Sequence, residues 1–152
     1  MKIALVSLLA IVTTGCGFGA STGGIKLGDW KVTAITGKIQ HDDTGCGPSS
    51  KTFVPALSSS WNKVTVHSAV GFAWFLAFDL SGESYDIGSE AKTSGGAITG
   101  NVVQADISTT TTSSGTYDSN AMTVAWTIEQ HVKSGVCATD VSGSGTFTAT
   151  PP

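Results

Sequence analysis

His41-Asp42-Asp43 is the densest run of ionisable residues in the chain. In an extended segment alternate side chains share a face, so His41 and Asp43 offer two metal ligands, with His131 or Asp140 to supply a third. Two ligands do not make a site, and Asp beside Gly at the end of a strand is ordinary turn chemistry. Nucleophilic catalysis has less to stand on. The chain is rich in Ser, but its one Gly-x-Ser-x-Gly, at 19–23, falls in the Gly- and Ser-rich stretch ahead of the strands and not at a strand-to-helix turn, so it does not mark a Ser-His-Asp grouping. A glycoside hydrolase needs two facing carboxylates, and nothing singles out two of the eleven acids. The expectation is a protein that is not an enzyme and carries no cofactor and no metal.

The aromatic residues point elsewhere. Four tryptophans, Trp30, Trp61, Trp74 and Trp126, are joined by Phe72, Phe75 and Phe78. Core packing accounts for most such rings in a small β domain. Gly71 to Leu80 is nevertheless apolar on both faces, so one face meets the core and the other meets a covering element or a cavity. If it is a cavity, Trp74, Phe72, Phe75 and Trp126 are the candidate ligand-binding residues at a barrel mouth.

These side chains must be positioned by strands. Only 12% of the 152 residues are charged and Gly, Ser and Thr abound, a bias against long surface helices. Ala121 to Val132 alternates cleanly, with Met122, Val124, Trp126, Ile128 and Val132 on one face and Thr123, Thr127, Glu129 and His131 on the other. Val103, Ala105 and Ile107 alternate in the same way. Asp29 to Gln40 starts with Trp30, Val32 and Ala34 on one face and continues with Ile35 and Ile39 on the other, which a bulge near Ala34 would explain. Turn signals leave strands near 30–40, 61–67, 71–80, 84–90, 97–109, 121–132 and 138–149. The hydroxyl run Ser108 to Ser114 reads as a wet edge or hairpin tip. Seven or eight antiparallel strands in one domain follow, closed as an up-and-down barrel or, alternatively, folded as a β-sandwich.

The amino end reads as a targeting signal. Lys2 supplies a positive charge, and Ile3 to Val12 is apolar apart from Ser7, too short for the roughly 20 residues that span a bilayer. Thr13-Thr14-Gly15-Cys16 resembles the lipobox of bacterial lipoproteins, with Thr13 standing where Leu, Val or Ile is usual. The resemblance implies removal of residues 1–15 and lipidation of Cys16 with palmitate-like acyl chains, at about 0.8 kcal/mol of membrane affinity per buried CH₂. It also implies an envelope location, at the outer membrane where two membranes exist, because Gly17 replaces the Asp of proteins retained at the inner one. Residues 16–28 then form a Gly- and Ser-rich tether with a reach of roughly 20 Å, and 29–152 the β domain.

With Cys16 lipidated, Cys46 and Cys137 are the one remaining pair. A disulfide between them would close a loop of about 90 residues, worth about 4 to 5 kcal/mol in the chain-entropy account. A metal pair with His131 and two free thiols are the alternatives.

Gly28-Asp29-Trp30 resembles the Gly-x-Trp that opens lipocalins and avidin-like barrels, although the Arg that lipocalins lay over that Trp has no counterpart in a chain without arginine. The net charge of −3 and the eight scattered lysines exclude a phosphate-neutralising surface, so nucleic acid is not an expected partner. The expected function is that of an envelope lipoprotein, held to the membrane by its lipid, whose barrel binds an apolar small molecule or a protein. The alternative is an inhibitor of a protease or lysozyme-like enzyme, with 41–60 and 110–120 making the contacts.

Overall fold

The structure, a computed structural model, describes residues 24–44, 49–134 and 137–152. Nine antiparallel strands form a single sheet: β1 (Gly28–Thr44), β2 (Ser49–Pro55), β3 (Lys63–Ser68), β4 (Gly71–Leu80), β5 (Glu83–Ser94), β6 (Ala97–Gln104), β7 (Thr109–Tyr117), β8 (Met122–Ser134) and β9 (Cys137–Thr150). A meander from β3 to β9 closes into a ring where β9 pairs with β1, from Lys31↔Thr150 to Thr44↔Ala138. The other edge of β1 is shared. Its start pairs with β3 and its end with β2, and β2 in turn meets β4, so two short strands fill one place in the ring. This is the expected antiparallel all-β architecture, with nine strands in place of seven or eight.

The phase change in β1 is a bulge. Val32 pairs with Ala149 and Ala34 with Thr148, leaving Thr33 as the extra residue, its hydroxyl bonded to Thr148. One inserted residue turns the strand over, so Trp30 before the bulge and Ile35 and Ile39 after it all face inward.

Two expectations need correction. The run 97–109 is not one strand: β6 ends at Gln104, Ala105–Ile107 form a 3-10 turn, and Ser108 reverses the chain at a φ of 47°. Val103 and Ile107 are exposed, and the inward residues of β6 are Ile98 and Val102. The hydroxyl run is no edge. It forms β7, paired with β6 on one side and β8 on the other, and Thr109, Thr111 and Ser113 point into the interior. The turn joining β7 to β8 is made by Asp118, whose carboxylate accepts the N–H groups of Asn120 (2.7 Å) and Ala121 (2.9 Å).

Those two N–H groups hold the Asp118 carboxyl below the usual carboxylate range. A folded-state pKa that is depressed means support present at neutral pH and lost as pH falls through the folded value. The Asn120 and Ala121 amide resonances are therefore expected to shift together in an NMR titration, with a midpoint below that of an ordinary Asp. Asp118→Ala should lack this transition at both amides; a midpoint at or above that of an ordinary Asp would refute this account of the turn.

The core is aromatic and filled. Trp74 lies 6.4 Å from Trp126 and 5.6 Å from Phe147, and Phe78 stands edge-on to Trp126 at 5.3 Å between ring centroids. Trp30, Phe72, Trp74, Phe78, Trp126 and Phe147 are each at most 1% exposed. Glycines let the wall bend around these rings. Gly37, at φ 120°, pairs with Gly145, which pairs in turn with Trp126, and a Cβ on Gly145 would run into the Thr36 carbonyl and lie 2.8 Å from the Trp126 ring.

The folded part begins earlier than Asp29. Ile25 is buried in the core and the Lys26 carbonyl accepts the Trp30 indole N–H at 2.8 Å. Both ends of the domain meet at one rim, where a Cβ on Gly28 would lie 3.7 Å from Pro152.

Candidate functional site

The candidate ligand-binding residues separate. Phe72, Trp74 and Trp126 belong to the solid core, where the Trp74 indole donates to the Ser113 hydroxyl at 3.0 Å. Phe75 is on the outer face, 44% exposed, packed over Gly88 with the Lys63 ammonium 5.9 Å from its ring centre. The second apolar face of β4 is not covered as a whole: Phe75 stays exposed, and of the alanines only Ala77 is buried, beside a loop that fills the strand's edge. The loop from Ala56 to Asn62 binds the free edge of β4 at Ala77: Ala56 N–H donates to the Ala77 carbonyl (2.9 Å), and Ala77 N–H donates to the Asn62 side chain (2.8 Å). Asn62 also donates to the Ala56 carbonyl at 2.7 Å, which closes the loop on itself. Trp61 and Leu57, on this loop, are exposed.

The ionisable residues are divided between the two faces of the wall. His41 faces inward, stacked edge-on to Phe53 and Tyr85, with Asp43 at 3.9 Å. Burial pushes the Tyr85 phenol up, and its hydroxyl donates to Gln130. His131 and Asp140 pair with each other on the outer face, in register with Asp42. A third ligand for His41 and Asp43 therefore cannot come from His131 or Asp140, and no cluster of three such groups suited to a metal occurs among the described residues. Asp42 is occupied by hydrogen bonds from Ser50 and Gln40, which hold its carboxyl below the usual range. Cys137 opens β9, half-buried. Cys16 and Cys46, with the lipobox and most of the tether, lie outside the described residues.

The feature most suited to recognition was not anticipated. β5 and β6 leave their Gly95-Gly96 turn as a hairpin, but the ladder runs only from Ser94↔Ala97 to Lys92↔Thr99. Beyond Gly100 the strands part. The opening is a cleft of about 620 Å³ lined by His67, Val70, Glu90, Lys92, Asn101 and Val102, with Ser113 of the interior at its floor. Gly100 sits at the apex because the backbones nearly touch there: a Cβ would lie 2.7 Å from the Glu90 carbonyl oxygen.

No family model, curated protein or solved structure matches this chain. The reading of the site rests on its own geometry. The cleft combines charged and amide side chains with Val70 and Val102. Such a mixture suits a polypeptide better than a wholly apolar molecule. The segments 41–60 and 110–120, expected as contact loops, are largely strand; what remains as loop among the described residues is 56–62 and 118–121.

Proposed function

We propose that this chain is a lipid-anchored envelope protein that acts by binding a protein partner at the cleft between β5 and β6, without catalysing a reaction. The observation that carries this reading is the contrast between a filled interior and an opened wall. Six large rings occupy the space a carried ligand would need, whereas the cleft presents backbone, charge and apolar surface together. The test is a photo-crosslinking residue placed at Asn101 or Val103 in cells. A discrete adduct with one identified envelope protein is expected, lost on competition with the purified domain and absent from Thr36 on the outer face of β1. Equal adducts from Thr36, or none from the cleft, would overturn it.

Anchoring belongs to the same reading. Cys16 carries the lipid and Cys46 pairs with Cys137. The pairing is supported by register, because Thr44 is opposite Ala138 and Cys46 follows two residues along the chain, at most about 7 Å further. Cys16→Ser is expected to move the protein from the membrane to the soluble fraction and to abolish acyl labelling. Unchanged fractionation would refute the anchor.

A second reading is favoured by the 56–62 loop. Its three hydrogen bonds to and across Ala77 hold Trp61 and Leu57 out to solvent, the arrangement an inhibitor of a protease or lysozyme-like enzyme would use. Loss of partner capture in Trp61→Ala, with capture intact in variants of the cleft, would select this reading.

A further inference from the structure

We propose that the open edge of β5, from Ser84 to Glu90, takes an extended segment of the partner protein as an added strand, and that this segment carries Lys or Arg at alternate positions. The inference rests on the partner-binding reading and specifies its chemistry. β4 pairs with β5 along its whole length, from Gly71↔Lys92 to Leu80↔Glu83, so one edge of β5 is fully used. The other edge is used only from Lys92 to Ser94. The next rungs would join Ala91 to Gly100 and Glu90 to Asn101, and the ladder stops short of both.

The direction of the unused groups follows from Gly100. The Glu90 carbonyl points at it, so Glu90, Gly88, Asp86 and Ser84, alternating along the strand, each turn one N–H and one C=O toward the gap. Among the described residues none of these four is paired in register with any strand other than β4. All four are exposed. An unpaired edge of this length is a template for another strand unless something blunts it, and Glu83 to Ala91 contains no Pro, no Lys and no bulge.

Charge selects the occupant. The outward side chains of the edge include Asp86 and Glu90, neither with an ion-pair partner among the described residues, and Asp79 lies opposite Ser84 on the same outer face. A second copy pairing through its own β5 would set acids against acids, which opposes self-association. A segment with basic residues at every second position would lay them along Asp86 and Glu90. Lys92 stands at the closed apex, beyond the last free rung, and leaves the acidic stretch open.

The experiment uses the full soluble chain with Cys16→Ser and three synthetic octapeptides: alternating Thr and Lys, alternating Thr and Glu, and the Lys peptide N-methylated at alternate residues. Amide exchange and chemical shifts are followed by NMR. The Lys peptide is expected to slow exchange at Ser84, Asp86, Gly88 and Glu90 saturably. Its affinity should fall at least tenfold in Asp86→Lys/Glu90→Lys, a surface double variant whose thermal midpoint should stay that of the parent. The Glu and N-methylated peptides should not protect these amides. Protection by the Glu or N-methylated peptide equal to that by the Lys peptide, or no protection by the Lys peptide, would overturn the added-strand mode. Crosslinks from Asn101 or Val103 that persist without edge protection would leave partner binding standing and remove only this mode; loss of the crosslinks removes the parent reading.

Discussion

Gly145→Ala lowers the stability of the domain by about 3 kcal/mol or more, and Gly145→Val prevents folding. The β9 backbone at Gly145 passes between the Thr36 carbonyl and the Trp126 ring, with Gly37 at φ 120° beside it, so no direction is left in which a side chain can grow. The collision is largely with backbone on a strand tied down across the whole β1–β9 seam, and relief means shifting that seam or the Trp126 ring. For a domain of this size the loss corresponds to a fall in thermal midpoint of roughly 10 °C or more, read by circular dichroism. Gly24→Ala, where a Cβ meets nothing within 4 Å, is the control and should leave the midpoint unchanged. A Gly145→Ala midpoint within the error of the parent would show that the seam yields more easily than its contacts imply.

Trp74→Ala is expected to cost about 3–5 kcal/mol, as for other large rings removed from a packed core. Trp61→Ala, at an exposed loop position, should stay within about 0.5 kcal/mol of the parent. Trp74→Phe separates packing from hydrogen bonding: it keeps much of the ring volume but leaves the buried Ser113 hydroxyl without its donor, a loss of about 1 kcal/mol beyond the volume change. The same residue also decides the fate of the small-molecule reading. With the interior filled, an environment-sensitive apolar dye should show no saturable quenching of tryptophan emission in folded protein. Saturable quenching that Trp74→Ala abolishes without unfolding would return the carrier reading to first place.

Much of the architecture is legible in alternation. β8 shows it in full through Met122, Val124, Trp126 and Ile128, and the bulge in β1 is readable because Trp30 and Ile35 must both be buried although they stand five residues apart. β2 escapes notice because Thr52-Phe53-Val54 is a brief signal between a turn-rich stretch and Pro55. β7 is misread for a physical reason. Its inward residues are Thr109, Thr111 and Ser113, so a hydropathy pattern sees no inner face where the wall is lined by hydroxyls. The candidate site fares worse. Phe75 stands on the opposite face from Phe72 and Trp74 by simple parity, so one pocket could not gather all three, and the run carried enough information to say so. The cleft is a different matter, for it arises where a ladder stops, and no residue type marks the rung at which two strands part.

The meeting of Gly28 with Pro152 at one rim makes the barrel mechanically anisotropic. β1 and β9 run antiparallel along the closing seam, so force applied between the two ends of the chain peels that seam from Lys31↔Thr150 inward, one rung failing before the next is loaded. Force applied between the amino end and the far rim instead drags β1 lengthwise, and every rung from Lys31 to Thr44 resists at once. With the proposed amino-terminal anchor and a partner toward the Ser84 end of β5, the load would fall in the second geometry. The same fold is thus weak when pulled between Gly28 and Pro152 and firm when pulled between Gly28 and the opposite rim.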